Sequence, residues 1–267
     1  MNSLFDQYLR LLKIGKQAPT FKYLTELLTA HIINIPFENI SKIYYHRTMD
    51  LNYIPDFELY LNGIKKYNFG GTCYSNNYYF NKLLNHLGFN AILCGADMTN
   101  PDVHLINVVD WNSKKYLVDV GYGAPFFNPI PLYLNDDLEF KFGNEKFVIH
   151  PKNKNGYTEL VQYRDNKVKH GYKVKPTQRS ISEFNRIIKN SFNLGATFLN
   201  RIAATKFAVQ ASISIRNYSF IEMTRDTYKI NKIDNNKKLV LELNKYFKIP
   251  RNIIRESINY IEPLNEN

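Results

Sequence analysis

Apolar positions in the first third of the chain recur at spacings of three and four. Tyr8, Leu9, Leu11 and Leu12, then Leu24, Leu27, Leu28 and Ile32, each mark one side of a helix. Pro19-Thr20 separates these two helices as a break followed by an N-cap. A third helix is predicted from about Asp56 to Tyr67 and a fourth from about Tyr74 to Leu87, with Gly88 as its C-terminal stop. Near Asn90 the period changes. Short β-like runs follow at 91–98, 104–111, 114–121, 140–150, 157–164 and 167–174, separated by turn residues. Six strands in succession imply an antiparallel sheet that curls or closes. Beyond them come a helical segment near 181–190, candidate strands at 205–214 and 217–224, and a helical region from about Lys237 to Tyr260, broken near Ile249-Pro250.

Helices, then strands, then mixed elements define an α+β class in three parts: a helical bundle over 1–86, an antiparallel β-barrel over 87–186 and an α/β lid over 187–267. A chain of 267 residues with 44% apolar content can bury a substantial core. The first residues place charges within the apolar pattern and do not read as a secretory signal. No stretch approaches the roughly 20 apolar residues of a membrane span. The expectation is a cytoplasmic protein with no membrane role, whose Cys73 and Cys94 are free thiols. The net charge of +11 raises a nucleic-acid role, but basic residues are interspersed with acidic ones and only the last third is dense, so none is expected. A basic surface suits a small phosphate-bearing ligand equally well. No pair of His or Cys has ligand-like spacing, so no metal is expected.

The segment Phe69-Gly70-Gly71-Thr72-Cys73 immediately precedes a helical pattern. Two glycines permit a tight turn, and a cysteine at a helix start feels the positive end of the dipole, which favours thiolate. The same pattern also suits a small buried residue in a capping turn. A nucleophilic thiol needs a base. Of six histidines, His104 opens a strand-like run whose neighbour, joined through Asn112-Ser113-Lys114, forms a hairpin that brings Asp119 near it. His31, His46, His86 and His150 show no acidic partner in their segments and His170 lies in a Lys-rich turn, so packing or surface roles suit these five. An aspartate there would hold the imidazole in its working tautomer, although Asp before Val-Gly also fits an ordinary strand-end turn. Together Cys73, His104 and Asp119 are candidates for a catalytic triad in papain-like order.

Four ordered motifs, Ile35-Pro36-Phe37-Glu38-Asn39-Ile40, Gly70-Gly71-Thr72-Cys73-Tyr74 with Asn77, His104-Leu105-Ile106 and Asp119-Val120-Gly121-Tyr122-Gly123, resemble those of the arylamine N-acetyltransferases. The resemblance runs from about residue 4 to about 132. It implies a cysteine-protease-like core and a ping-pong reaction in which Cys73 takes an acetyl group from acetyl-CoA as a thioester. An arylamine, arylhydroxylamine or hydrazine then removes it. His104 would activate the thiol, Asp119 would orient His104, and Phe37 and Tyr122 would line the acceptor pocket. Lysines or backbone amides of the lid and of the Gly121–Gly123 turn are candidates for the CoA pyrophosphate. The family pattern has Arg and Glu where this chain has Phe69 and Ser75, a joint loss that leaves no unpaired charge between them. Two alternatives remain: the same triad with another acyl donor or acceptor, and a non-catalytic basic binding protein that keeps the fold.

Overall fold

The computed structural model describes residues 2–193 and 195–261. Five helices open the chain: α1 (Asn2–Leu12), α2 (Phe21–Asn34), α3 (Ile40–Met49), α4 (Phe57–Tyr67) and α5 (Cys73–His86). Thr20 caps α2 by accepting from Tyr23 N, and Asp56 caps α4 by accepting from Leu59 N. The stripe on α2 buries Tyr23, Leu24, Leu27, Leu28 and Ile32. Each such side chain contributes about 1.5–3 kcal/mol when fully buried. The sequence reading missed α3, whose polar face and short length give it little periodicity. The two-residue strand β1 (Phe37–Glu38) precedes it.

Strands β2 (Asn90–Asp97), β3 (His104–Trp111), β4 (Lys114–Val118), β5 (Ile130–Pro131), β6 (Leu138–Phe142), β7 (Glu145–His150), β8 (Thr158–Arg164) and β9 (Lys167–Val174) form one curled antiparallel sheet. Its order is β5-β4-β3-β2-β9-β8-β7-β6, so among the described residues the end strands β5 and β6 do not pair and the sheet stays open. The β3–β4 hairpin turns through Asn112 and Ser113, both at positive φ, which fits its strand twist. Two runs read as single strands are hairpins instead. Residues 140–150 fold back at Gly143, whose φ is +58°, and residues 205–214 fold back at Val209-Gln210. The Gly143-Asn144 pair is a two-residue hairpin signal that the sequence reading passed over, whereas Val209-Gln210 carries none.

A short 3-10 helix (Ile181–Phe184) and α6 (Asn185–Asn190) lead to a second antiparallel sheet. It comprises β10 (Ala203–Ala208), β11 (Ala211–Arg216), β12 (Ser219–Thr224) and β13 (Tyr228–Lys232), with β1 at its other edge against β10. Helices α7 (Asn236–Phe247) and α8 (Arg251–Tyr260) finish the described chain and break at Ile249-Pro250 as expected. One apolar core joins α1, α2, α4 and α5 to the eight-stranded sheet, and a second joins α3, α7 and α8 to the five-stranded sheet. The fold is α+β. Among the described residues no helix is long and apolar enough to cross a membrane.

The Phe37-Glu38-Asn39 segment stitches these parts together. Phe37 pairs with Thr205 and Glu38 with Ala204, while Phe37 also bridges Gly71. Asn39 Nδ2 donates to the carbonyls of Phe198 (3.0 Å) and Arg201 (2.6 Å), and its Oδ1 accepts from Ala203 N (2.8 Å).

His31 is fully buried on α2 between Tyr8 and Phe80, and neither ring nitrogen has a hydrogen-bond partner. Burial pushes its pKa from 6.5 down to about 3, which keeps the imidazole neutral. The unfolded chain therefore binds the extra proton, and stability falls as pH drops below 6.5 toward 3. This one group removes roughly 1.4 kcal/mol per pH unit in that window. His31→Phe should flatten part of the acid slope when urea midpoints are compared at pH 7 and pH 4.5.

Candidate active site

The segment before α5 forms a turn in which two backbones nearly touch. A Cβ on Gly70 would lie 1.7 Å from the Pro36 carbonyl oxygen, so only glycine fits there. The buried carboxyl of Glu38 secures this turn by accepting from Gly70 N (2.9 Å) and Ser41 N (2.9 Å). Burial raises its pKa and these bonds oppose the rise. Cys73 then begins α5 as its first residue, after Thr72 at the N-cap, as the sequence implied. It is 7% exposed.

His104 opens β3 and is 2% exposed. Its Nε2 lies 2.7 Å from Asp119 Oδ2, and Cys73 is near enough to favour the charged form of the ring. Cys73 thus sits in one cluster with the bonded His104–Asp119 pair. Asp119 follows the end of β4, and two oxygens receive four donors. Tyr172 O–H (3.0 Å) joins His104 on Oδ2, while Asn77 Nδ2 (2.8 Å) and Gly121 N (2.8 Å) serve Oδ1.

Burial alone would lower the His104 pKa, but the charge and hydrogen bond of Asp119 outweigh it and push the value up to about 10. Burial alone would raise the Asp119 pKa, yet His104 and the donors hold it below 3.8. The charged pair is therefore the neutral-pH state.

Asn77, from the second turn of α5, binds the helix to the sheet. Besides Asp119 it donates to Leu105 O (2.5 Å), and its Oδ1 accepts from Val120 N (3.0 Å). Gly121 permits the approach: a Cβ there would come within 2.6 Å of Cys73 Cα.

Beside this cluster opens a cleft whose walls include Phe37, Tyr122, Phe198, Lys169, Arg201 and Arg216. Tyr122 packs on the His104 ring at 5.7 Å, and Phe37 meets Phe198 edge-on at 5.6 Å, so both expected aromatics face this cleft. Tyr172 and Phe198 escaped the sequence reading. Tyr172 lies mid-strand among lysines, and Phe198 lies in a segment without periodicity. Arg216 presents its side chain to the cleft, while nearby Arg164 is ion-paired with Glu145. These cations suit a phosphate-bearing ligand. Arg216 comes from β11, Arg201 from the segment before β10 and Lys169 from β9, and Gly123 is also on the cleft wall.

The remaining histidines differ from expectation at two positions. His150 pairs with Asp137 at 2.9 Å across the open end of the β6–β7 hairpin, and His170 Nδ1 lies 2.7 Å from the Tyr122 hydroxyl at the cleft. Cys94 is fully buried, and burial pushes its thiol up to about 12. Among the described residues, no three of His, Cys, Asp or Glu gather where they could hold a metal ion. Phe69, at the position of the family arginine, packs against Tyr45 (5.5 Å) and Tyr67 (5.2 Å), and Ser75 donates to Thr72 O.

The N-acetyltransferase family profile matches residues 20–254. The chain belongs to this family. Over 156 residues it is 30% identical to the pineal gland arylamine N-acetyltransferase isozyme NAT-3 of Gallus gallus, a match covering 55% of this chain and 51% of that protein. The chain spans about half the length of the curated relatives it matches. In fold it is similar to the arylamine N-acetyltransferase of Mycobacterium abscessus, with a TM-score of 0.81 at 16% identity over 96% of this chain and 94% of that one. The Mycobacterium marinum arylamine N-acetyltransferase in complex with CoA gives 0.80 at 18% identity, over 96% and 99%. The family's overall fold is thus retained at low identity.

Two tests follow from this geometry. Asn77→Ala strands Asp119, Leu105 O and Val120 N without that partner, and each unsatisfied buried group costs about 1–3 kcal/mol. A fall of several kcal/mol is expected in denaturant unfolding. The His104–Asp119 pair should also shape the stability–pH curve. The contribution of His104 is complete below pH 6.5 and lost as pH climbs through about 10. That of Asp119 is complete above pH 3.8 and lost as pH falls below it. Asp119→Asn should abolish both slopes.

Proposed function

We propose that the protein is an acyltransferase that moves an acetyl group from acetyl-CoA, through a Cys73 thioester, to an arylamine, arylhydroxylamine or hydrazine. The observation that supports this most directly is the buried His104–Asp119 pair with Cys73 close by, beside an aromatic and cationic cleft. Membership of the family and the arylamine N-acetyltransferases among its relatives support the donor and acceptor classes.

In the first half-reaction Cys73 Sγ, its proton held by the charged His104, attacks the thioester carbonyl. The carbon–sulfur bond to CoA breaks, and His104 returns the proton to the departing CoA sulfur. In the second, His104 takes a proton from the acceptor nitrogen as that nitrogen attacks the acetyl carbonyl, and Cys73 leaves. Asp119 stays ionised throughout, fixes the ring and stabilises the imidazolium. Phe37, Tyr122 and Phe198 would hold a flat acceptor by ring stacking. Arg201 and Arg216, both on the cleft wall, would receive the phosphates of CoA.

The test is release of free CoA from acetyl-CoA in the presence of an arylamine. Cys73→Ala should reduce turnover to background, and Asp119→Asn should lower kcat by about a thousandfold or more. Turnover retained by Cys73→Ala would eliminate the mechanism.

A further inference from the structure

His170, on β9, stands in the wall of the cleft beside Tyr122. Its Nδ1 lies 2.7 Å from the Tyr122 hydroxyl, and the two rings are 5.3 Å apart at 31°. Tyr122 reaches inward from there. Its ring stacks on Phe126 at 5.6 Å, meets Tyr172 edge-on at 5.0 Å and packs against His104 at 5.7 Å. His170 therefore stands at the outer end of a series of contacts whose inner end is the imidazole beside Cys73.

Both members of the pair are neutral at pH 7. Burial, with the charges of Asp119 and Glu145, raises the Tyr122 phenol, so it keeps its proton. Burial, with the positive charges of His104 and Arg216, holds His170 below 6.5. A neutral imidazole has one nitrogen free to accept. The arrangement that pairs the phenol proton runs from Tyr122 O–H to His170 Nδ1, and no second partner for that hydroxyl stands among the described residues. The tie matters because Tyr122 lies between Gly121 and Gly123, neither of which has a side chain to brace the ring. A flat acceptor stacked on a ring that swings loses part of the alignment its nitrogen needs at the acyl carbon.

We infer that His170 is a positioning residue for the acceptor step: it accepts a hydrogen bond from the Tyr122 hydroxyl and so fixes the ring against which an arylamine stacks. This rests on the acyl-transfer reading above. His170 exchanges no proton with the substrate, and the bond changes stay with Cys73 and His104. The donor, held by its phosphates on that reading, does not use this ring face.

The experiment times the two half-reactions separately: formation of acetyl-Cys73 from acetyl-CoA, followed by intact mass, and its discharge by an arylamine over a range of concentrations. His170→Phe keeps a ring and loses the accepting nitrogen. It should raise the arylamine concentration for half-maximal discharge by about twofold to tenfold, the span of one neutral hydrogen bond. Formation of acetyl-Cys73 should change far less. Tyr122→Phe should match it, and the double variant should be no worse than either single one. His170→Asn places an amide oxygen near the site of Nδ1 and should retain most of the original arylamine dependence, which general loosening would not produce. Additive losses in the double variant overturn the inference, as does equal slowing of both half-reactions or an arylamine dependence that His170→Phe leaves in place. Tyr122→Phe breaks the same bond from the other side, so an unchanged dependence there overturns it even if His170→Phe does not fold. Absence of acetyl-Cys73 in the unaltered chain removes the acyl-transfer reading, and the inference with it.

Discussion

The site depends on the burial of one carboxylate. Asp119 has left water almost completely, an arrangement that is unfavourable unless donors replace its hydration. Four donors from four places do so: the β3 imidazole, the α5 amide of Asn77, the β9 phenol of Tyr172 and the backbone of Gly121. Each element is therefore held to the others through the same two oxygens. The mutual position of helix and sheet, and hence of sulfur and imidazole, is set by what this anion needs.

The Phe37-Glu38-Asn39 segment works in a comparable way through three different interactions. Phe37 joins a ladder, Glu38 fixes the Gly70 turn, and Asn39 latches onto the 198–203 backbone. Glu38 is the more demanding of these, since its buried carboxyl receives only neutral donors. Phe69 and Ser75 leave its neighbourhood without charge at those two positions. Aromatic packing fills the Phe69 side of that space, and Ser75 bonds the Thr72 carbonyl on the other.

Much of this was legible in the chain because it was local. The α5 start at Cys73, the β3–β4 hairpin and the break before α8 all rest on turn residues and period within a few positions. The convergence of Cys73, His104 and Asp119 was legible through ordered motifs. Periodicity could not see α3, which has little amphipathic contrast, nor the folds at Gly143 and Val209 inside β-prone runs. Tyr172, Phe198 and Arg216 reach the site from segments whose own sequence carries no marker of it. Their roles arise from the curl of one sheet and the edge of another, and such long-range placement leaves no local pattern to read. His150 meets Asp137 across the β6–β7 hairpin, a local contact hidden when 140–150 is read as one strand.

The β1–β10 ladder has a consequence for how the molecule is made. Phe37 belongs to the early chain but finds its strand partner, Thr205, only after both the helices and the large sheet have been synthesised. Pairings of such high sequence separation form late and slowly, because a long loop must close before they contribute. A ribosome-bound fragment ending before residue 203 would already contain Cys73, His104 and Asp119 yet lack one wall of the cleft beside them. Nascent chains thus carry the reacting groups ahead of the surface that selects what reaches them.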